Sequence, residues 1–170
     1  MIELILDTNI LADFLEQYFN STRGNRGYGK FLVADNITRE IAQKINSIVG
    51  LYTIEPDPTI SGLIISSTLA FVELVRHFDT ISRGRFSIDN LYDFIQTHPG
   101  WFSIAPVDMD LIPFFLEVPK HVQIEEREFP IEWTDAVHVA TVFSRGDHSY
   151  IVATDSRISV IPGLKGRFLK

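Results

Sequence analysis

The fold is decided by the segment IELILDTNIL (residues 2–11), in which an apolar run ends in an acid and passes directly into a helical pattern. The run before Asp7 has the length and composition of a buried strand, and the apolar residues after it recur at helical spacing through Leu15. Strand and helix patterns alternate along the rest of the chain, which predicts a parallel sheet with helices on both faces. We therefore expect a three-layer α/β domain whose central, mostly parallel sheet has four or five strands.

The remaining elements follow from apolar periodicity and from residues that start or stop helices. Further strands are predicted at residues 62–66, 101–107 and 150–154. Further helices are predicted at residues 38–48, ended by Gly50, from a cap at Ser67 or Thr68 to residue 78, and at residues 87–97, 109–117 and 135–144, the last capped by Thr134. The other segments are expected to be a glycine-rich loop (20–30), a charged, exposed connection (125–128) and a turn before a short tail (161–164).

Size and composition suit one globular domain over residues 1–170, with 45% hydrophobic and 22% charged residues. The absence of cysteine excludes disulfides, thiolate zinc sites and cysteine nucleophiles. No signal peptide is evident, and the longest apolar stretch, residues 63–75, is too short and too polar to span a membrane. We therefore expect a soluble, cytoplasmic protein with no membrane partner.

Four acidic residues are the strongest functional signal. Asp7 and Asp155 end buried apolar runs, while Glu73 and Asp135 lie early in two apolar helices. Ligands of an open parallel sheet bind outside the carboxyl ends of its strands, so we expect all four acids at that edge. Carboxylates that share a pocket repel one another unless a divalent cation neutralises them. The pattern predicts a Mg²⁺ or Mn²⁺ site suited to phosphodiester chemistry, although each acid alone is also typical of a turn or helix cap.

The acids lie in four short motifs, which are DTNIL (7–11), LAFVEL (69–74), Thr134-Asp135-Ala136 and Thr154-Asp155. In this order the motifs resemble those of the PIN-domain nucleases, in particular the VapC-type toxins of toxin–antitoxin pairs. The resemblance implies a metal-dependent endoribonuclease acting on RNA, with Asp7, Glu73 and Asp135 as core metal ligands and Asp155 completing the catalytic site. It also implies polar support from Thr8 and Asn9, a small antitoxin partner and a homodimer.

Two features depart from that pattern. The family usually has a threonine two residues before the last acid, whereas this chain has Ala153 there and carries the hydroxyl on Thr154, which becomes the third supporting residue. The stretch between Asp7 and Glu73 is also longer than usual, which predicts an insertion around residues 17–60. That insertion contains the basic, glycine-rich loop at residues 20–30.

The net charge of −7 argues against a general nucleic-acid-binding protein, which normally has a basic face. An enzyme that acts on nucleic acid through bound cations is not excluded. Local basic residues are candidates for contacting substrate phosphate, and they are Arg157, Arg23, Arg26 and Lys30. For the three in the glycine-rich loop, an ordinary solvated loop is an equally good interpretation.

Two aromatic residues and one histidine are interpreted as structural in the first instance. Tyr28 and Trp133 have rings that can stack on bases, but packing is the commoner role of such residues. His138 lies one helical turn after Asp135, between two valines, and a structural role is expected.

Three other functions compete with the ribonuclease. A PIN-like domain that has lost catalysis would serve as a binding or scaffold module. A phosphatase of the haloacid dehalogenase type needs a second aspartate two residues after the first, where this chain has Asn9. A nuclease for structured DNA needs more length and more basic surface to hold a duplex, so RNA is the favoured substrate.

Overall fold

The computed structural model describes residues 2–22, 30–54 and 63–170. Its strands are β1 (Glu3–Leu6), β2 (Ile64–Ser67), β3 (Phe102–Ala105), β4 (His121–Ile124), β5 (Arg127–Pro130), β6 (Ser149–Val152) and β7 (Phe168–Leu169). Its α-helices are α1 (Thr8–Thr22), α2 (Arg39–Ile54), α3 (Thr68–Arg76), α4 (Phe78–Ser82), α5 (Ile88–Thr97), α6 (Ile112–Glu117) and α7 (Trp133–Arg145). Short 3₁₀ turns occupy Met109–Leu111 and Ser156–Val160.

Five strands form one parallel sheet in the order β3–β2–β1–β6–β7. This confirms the predicted α/β fold with a sheet of four or five strands. From β1 the chain extends the sheet through β2 and β3, and it later returns to the other side of β1 to add β6 and β7. The reversal makes the β1–β6 junction a topological switch point, where a crevice opens at the carboxyl ends of the strands.

Alternate residues of β1 pack on opposite faces of the sheet. Leu4 and Leu6 belong to a core shared with α1, α2, α3 and α5, whereas Ile5 belongs to a second core shared with α7. Phe14 of α1 lies inside the first core, where its ring centroid is 5.0 Å from that of Phe31. Because helices cover both faces, the predicted three-layer arrangement is confirmed.

The prediction that Gly50 ends the second helix is wrong, because α2 continues to Ile54. A glycine inside a helix costs about 1 kcal/mol relative to alanine. The helix is anchored before that point by Ile41, Ile45 and Ile48, which are all buried in the first core. Their packing outweighs the cost of one glycine.

Residues 125–128 are exposed, as predicted, but the interpretation that they are only a connection is wrong. They form the turn and the start of the second strand in the antiparallel hairpin β4–β5, in which Val122 pairs with Phe129. Glu125 takes the tight turn with a φ of 56°. The sequence shows no apolar strand pattern here, because this two-stranded ribbon exposes most of its side chains and can carry many charges.

Three element ends differ from the predictions. Helix α1 runs to Thr22, so residues 20–22 of the predicted loop are helical, and residues 23–29 lie outside the described residues. Helix α7 begins at Trp133 with Glu132 at its N-cap, so Thr134 lies inside its first turn. The predicted tail contributes Phe168–Leu169 as β7, which pairs with β6. Among the described residues, no helix combines the length and apolarity needed to cross a membrane.

Candidate metal centre

A cleft of about 290 Å³ lies at the carboxyl ends of β1 and β6. Its lining includes all four acids that were predicted to form a site, namely Asp7, Glu73, Asp135 and Asp155. The three predicted supporting residues also line it, and these are Thr8, Asn9 and Thr154. Residues that are up to 148 positions apart in the sequence therefore meet at the switch point of the sheet.

Asp7 follows β1 directly and is almost completely buried, with 6% of its surface exposed. One carboxylate oxygen, Oδ1, accepts a hydrogen bond from the backbone N–H of Ile10 at 2.8 Å, and Oδ2 accepts one from Thr154 at 2.9 Å. Burial raises the pKa of Asp7 to about 6, although these two N–H donors act in the opposite direction. Asp7 is thus fixed in orientation and costly to ionise without a cation nearby.

Glu73 reaches the cleft from the second turn of α3. The helix is positioned by Ser67, whose hydroxyl oxygen accepts the backbone N–H of Ala70 and so caps its start. Thr8 donates its hydroxyl proton to Glu73 Oε2 at 2.5 Å, which joins the first turn of α1 to α3. The second oxygen, Oε1, accepts no hydrogen bond from the described residues.

Asp135 lies in the first turn of α7, and both its burial and the other acids of the cleft raise its pKa. Burial raises its pKa to about 6, and the negative charges of Asp155, Asp7 and Glu73 raise it as well. The positive charge of Arg157 opposes this rise. No hydrogen bond from the described part of the chain reaches either oxygen of Asp135. The carboxylates are therefore close enough to destabilise one another's charge.

Asp155 is bound differently, because its carboxylate is paired with Arg157. The Arg157 Nε–H donates to Oδ1 and Oδ2 at 3.0 and 2.8 Å, and Nη2 donates to Oδ2 at 2.5 Å. The backbone N–H of Arg157 also donates to Oδ1 at 2.9 Å, which caps the 3₁₀ turn that follows. The Arg157 side chain lowers the pKa of Asp155 below its usual range.

The supporting residues connect the strand ends. Asn9 Nδ2 lies 3.4 Å from Thr154 Oγ1, which in turn lies 3.4 Å from Asp7 Oδ2. Ala153 is fully buried in the second core, and it stands where the PIN-domain nucleases that this chain resembles usually have threonine. Thr154 therefore brings the nearest hydroxyl on this strand end to Asp7.

Two histidines also line the cleft. His138 is 2% exposed, its Nδ1 lies 3.4 Å from Ser67 Oγ, and burial lowers its pKa to about 4. It is therefore neutral at pH 7. His77, which is not among the predicted site residues, follows α3 and lies four residues after Glu73. That spacing places it on the same side of the helix and is the signal by which it could have been found.

The other predicted substrate contacts lie away from the cleft lining or outside the described residues. Lys30 is exposed, and Arg23, Arg26 and Tyr28 lie outside the described residues. Trp133 is 62% exposed and lines a separate apolar pocket with residues such as Leu116. Arg157 is adjacent to the cleft through Asp155.

The donor set suits a hard divalent cation. Glu73 Oε1 and both oxygens of Asp135 accept no hydrogen bond from the described residues, and carboxylate oxygens with water are the usual ligands of Mg²⁺ and Mn²⁺. Among the described residues, no three acidic or histidine side chains are close enough together to coordinate one metal ion without moving. A cation would therefore bind with several waters, as Mg²⁺ commonly does.

Comparisons with protein families, with curated proteins and with solved structures found no match for this chain. The chemistry of the cleft is therefore inferred from its own residues.

Proposed function

We propose that this protein is a metal-dependent endoribonuclease that hydrolyses RNA phosphodiester bonds. Mg²⁺ or Mn²⁺ would be held by Asp7, Glu73 and Asp135, with Asp155 as the fourth acid of the same cleft. The observation that carries the proposal is that Asp135 lines one cleft with three other acids, whose charges raise its pKa. A folded protein gains no stability from such repulsion, so the arrangement is best explained by a cation.

The bound cation would polarise a phosphoryl oxygen and lower the pKa of a water that attacks phosphorus. The residues of the chain supply the geometry. The N–H groups of Ile10 and Thr154 hold the Asp7 carboxylate, and Thr8 holds that of Glu73. Water adds across the P–O bond, and the resemblance to PIN-domain nucleases implies products with a 5′-phosphate and a 3′-hydroxyl.

The cellular setting is part of the proposal and rests on the same resemblance. A cytoplasmic toxin restrained by a small antitoxin, and paired as a homodimer, fits a nuclease whose cleft is open to solvent. The second candidate is a catalytically inactive PIN-like binding or scaffold module. The acidic net charge of −7 favours that candidate modestly. The unpaired oxygens of Glu73 and Asp135 favour the enzyme, because a module without a cation has no use for them.

The test is cleavage of a mixed pool of single-stranded RNA with Mn²⁺ or Mg²⁺ by wild type, Asp7→Asn and Glu3→Gln. Glu3 begins the strand that Asp7 follows and so lies at the opposite edge of the sheet, which makes Glu3→Gln the matched control. We expect cutting that requires the metal, is lost more than about 100-fold in Asp7→Asn and is retained in Glu3→Gln. Single-stranded DNA of the same sequence should remain intact.

Each contrary result has a distinct meaning. Wild-type activity in Asp7→Asn would overturn the site. A folded wild type that neither cuts RNA nor binds metal would favour the scaffold, and equal cutting of DNA would overturn the choice of substrate.

A further inference from the structure

We infer that Arg157, held by Asp155, binds a backbone phosphate of single-stranded RNA beside the scissile bond, and that Asp155 is a positioning residue for Arg157 rather than a metal ligand. The inference rests on the proposed function and refines the roles of two residues in it.

The Asp155 carboxylate is committed to Arg157. Oδ1 accepts the backbone N–H of Arg157, Oδ2 accepts Nη2–H, and the single Nε–H is shared between the two oxygens. An ionised carboxylate offers about four lone-pair sites, and three donors of one residue are directed at them. Because the charge of Asp155 is already paired, a cation would have to compete with Arg157 in order to bind Asp155.

The other three acids have no ion-pair partner among the described residues. Asp7 accepts the backbone N–H groups of Ile10 and Thr154 and the hydroxyl of Thr154, and Glu73 accepts one hydroxyl on Oε2. Asp135 accepts nothing from the residues that the structure describes. Three carboxylates thus line the cleft without a paired cationic side chain, and the fourth is paired with an arginine.

Arg157 is well placed to meet substrate. Its positive charge acts to lower the pKa of Asp135. The negative charges of Asp155, Asp135 and Glu132 raise the pKa of Arg157. The Arg157 side chain is 36% exposed. Its Nη1 donates no hydrogen bond to the described residues, since only Nε and Nη2 are engaged by Asp155. One edge of the guanidinium is therefore fixed by Asp155, which lines the cleft, and the other keeps a free donor.

A phosphate is the ligand that fits this open edge. Guanidinium presents planar paired donors that match the oxygens of a phosphate, and it remains charged at any physiological pH. An arginine without an anchor would be attracted to Asp135 and Glu132 and would compete with the cation there. By binding the Nε edge, Asp155 prevents this and holds a positive group next to a cleft that would otherwise repel RNA.

The chain contains a matched control pair away from the cleft, between the start of β1 and the end of α7. Arg145 donates from Nε and Nη2 to the two oxygens of Glu3 at 3.1 and 2.9 Å, and both side chains are partly exposed. Changes in this pair remove a similar ion pair without touching the cleft. If the loss of RNA affinity is specific to Arg157, Arg145→Ala must bind RNA as tightly as wild type.

The experiment is a double-mutant cycle on Asp155→Ala and Arg157→Ala, with Arg145→Ala as control. Affinity for a fluorescent single-stranded RNA is measured with Ca²⁺ in place of Mn²⁺, and RNA integrity is checked on a gel. We expect each variant to bind RNA about tenfold more weakly, with a salt dependence of log K reduced by about 0.7, as for one lost phosphate contact. The double variant should be no weaker than Arg157→Ala, because Asp155 acts through Arg157.

Two further measurements separate positioning from ligation. Calorimetric titration with Mn²⁺ should give Asp155→Ala an affinity within a few-fold of wild type, and in cleavage assays its KM should rise more than its kcat falls. Loss of Mn²⁺ binding in Asp155→Ala, or unchanged RNA affinity in Arg157→Ala, would overturn the inference. If the wild type binds RNA but cleaves none, the proposed ribonuclease function is overturned, while the inference about Arg157 still stands.

Discussion

The carboxylate of Asp7 bridges the two central strands, because its Oδ2 accepts the backbone N–H of Thr154 at 2.9 Å. One residue follows β1 and the other follows β6, so the bond spans the switch point of the sheet. The acid with the least exposure in the cleft is thereby fixed by the main chain of the neighbouring strand end.

The first prediction concerns Asp7 and the pH dependence of stability. Its pKa in the folded state, about 6, lies above the usual aspartate value of 3.8, so the folded state binds more protons between these values and stability falls as pH rises through them. Asp7→Asn removes this loss. In urea unfolding without metal, the stability of the variant relative to wild type should rise by about 2 kcal/mol between pH 4 and pH 7. A constant difference would contradict the raised pKa.

The second prediction concerns His138, whose pKa of about 4 in the folded state lies below the usual histidine value of 6.5. Between pH 6.5 and pH 4 the unfolded state binds more protons than the folded state, so stability is lost as pH falls through this range. Between pH 7 and pH 5, wild type should lose about 2 kcal/mol more of its unfolding free energy than His138→Gln. Equal losses in urea titrations would show that His138 is not buried in its neutral form.

The third prediction concerns Thr8, whose hydroxyl holds Glu73. Thr8→Val keeps the shape of the side chain but leaves the carboxylate without its donor. We expect a loss of about 1 kcal/mol in stability and weaker Mn²⁺ binding by calorimetry, because Glu73 is no longer oriented. Thr8→Ser keeps the hydroxyl and should bind Mn²⁺ nearly as wild type does. Equal Mn²⁺ affinity in Thr8→Val would contradict this role.

The fourth prediction concerns the buried pair of Asp13 and Arg85, which joins α1 to the end of α4. Asp13 is fully buried, and Arg85 Nη1 donates to its Oδ1 at 2.6 Å. Arg85→Met leaves that carboxylate without its counter-charge and should lower the unfolding free energy by about 3–5 kcal/mol. Arg145→Met, in the exposed pair with Glu3, should cost less than about 1 kcal/mol. Similar losses in both variants would contradict the difference in burial.

Much of the site could be predicted from the sequence, because acids that end parallel strands must meet at one edge of the sheet. Asp7 and Asp155 follow from that rule, and Glu73 and Asp135 follow from their positions early in helices that leave the same edge. The pairing of Asp155 with Arg157 could not be predicted, because it depends on a 3₁₀ turn that brings residues two apart into contact.

The elements that escaped prediction share a physical cause. Hairpin β4–β5 and strand β7 are stabilised by pairing with other strands rather than by an apolar pattern of their own. The length of α2 beyond Gly50 could not be predicted, because glycine is a local helix-stop signal and the burial of Ile41 and Ile45, which outweighs it, is a tertiary effect. Local patterns therefore located the main parallel strands and the acids, while tertiary contacts decided the remainder.

The most direct test of the account is calorimetric titration of Mn²⁺ into wild type, Asp7→Asn and Glu3→Gln, each checked for folding by circular dichroism. We predict binding by wild type and by Glu3→Gln that is lost in Asp7→Asn, because the cation is held by the cleft and not by the acidic surface in general. Unchanged binding in Asp7→Asn, or no binding by folded wild type, would contradict the existence of a metal centre in this cleft.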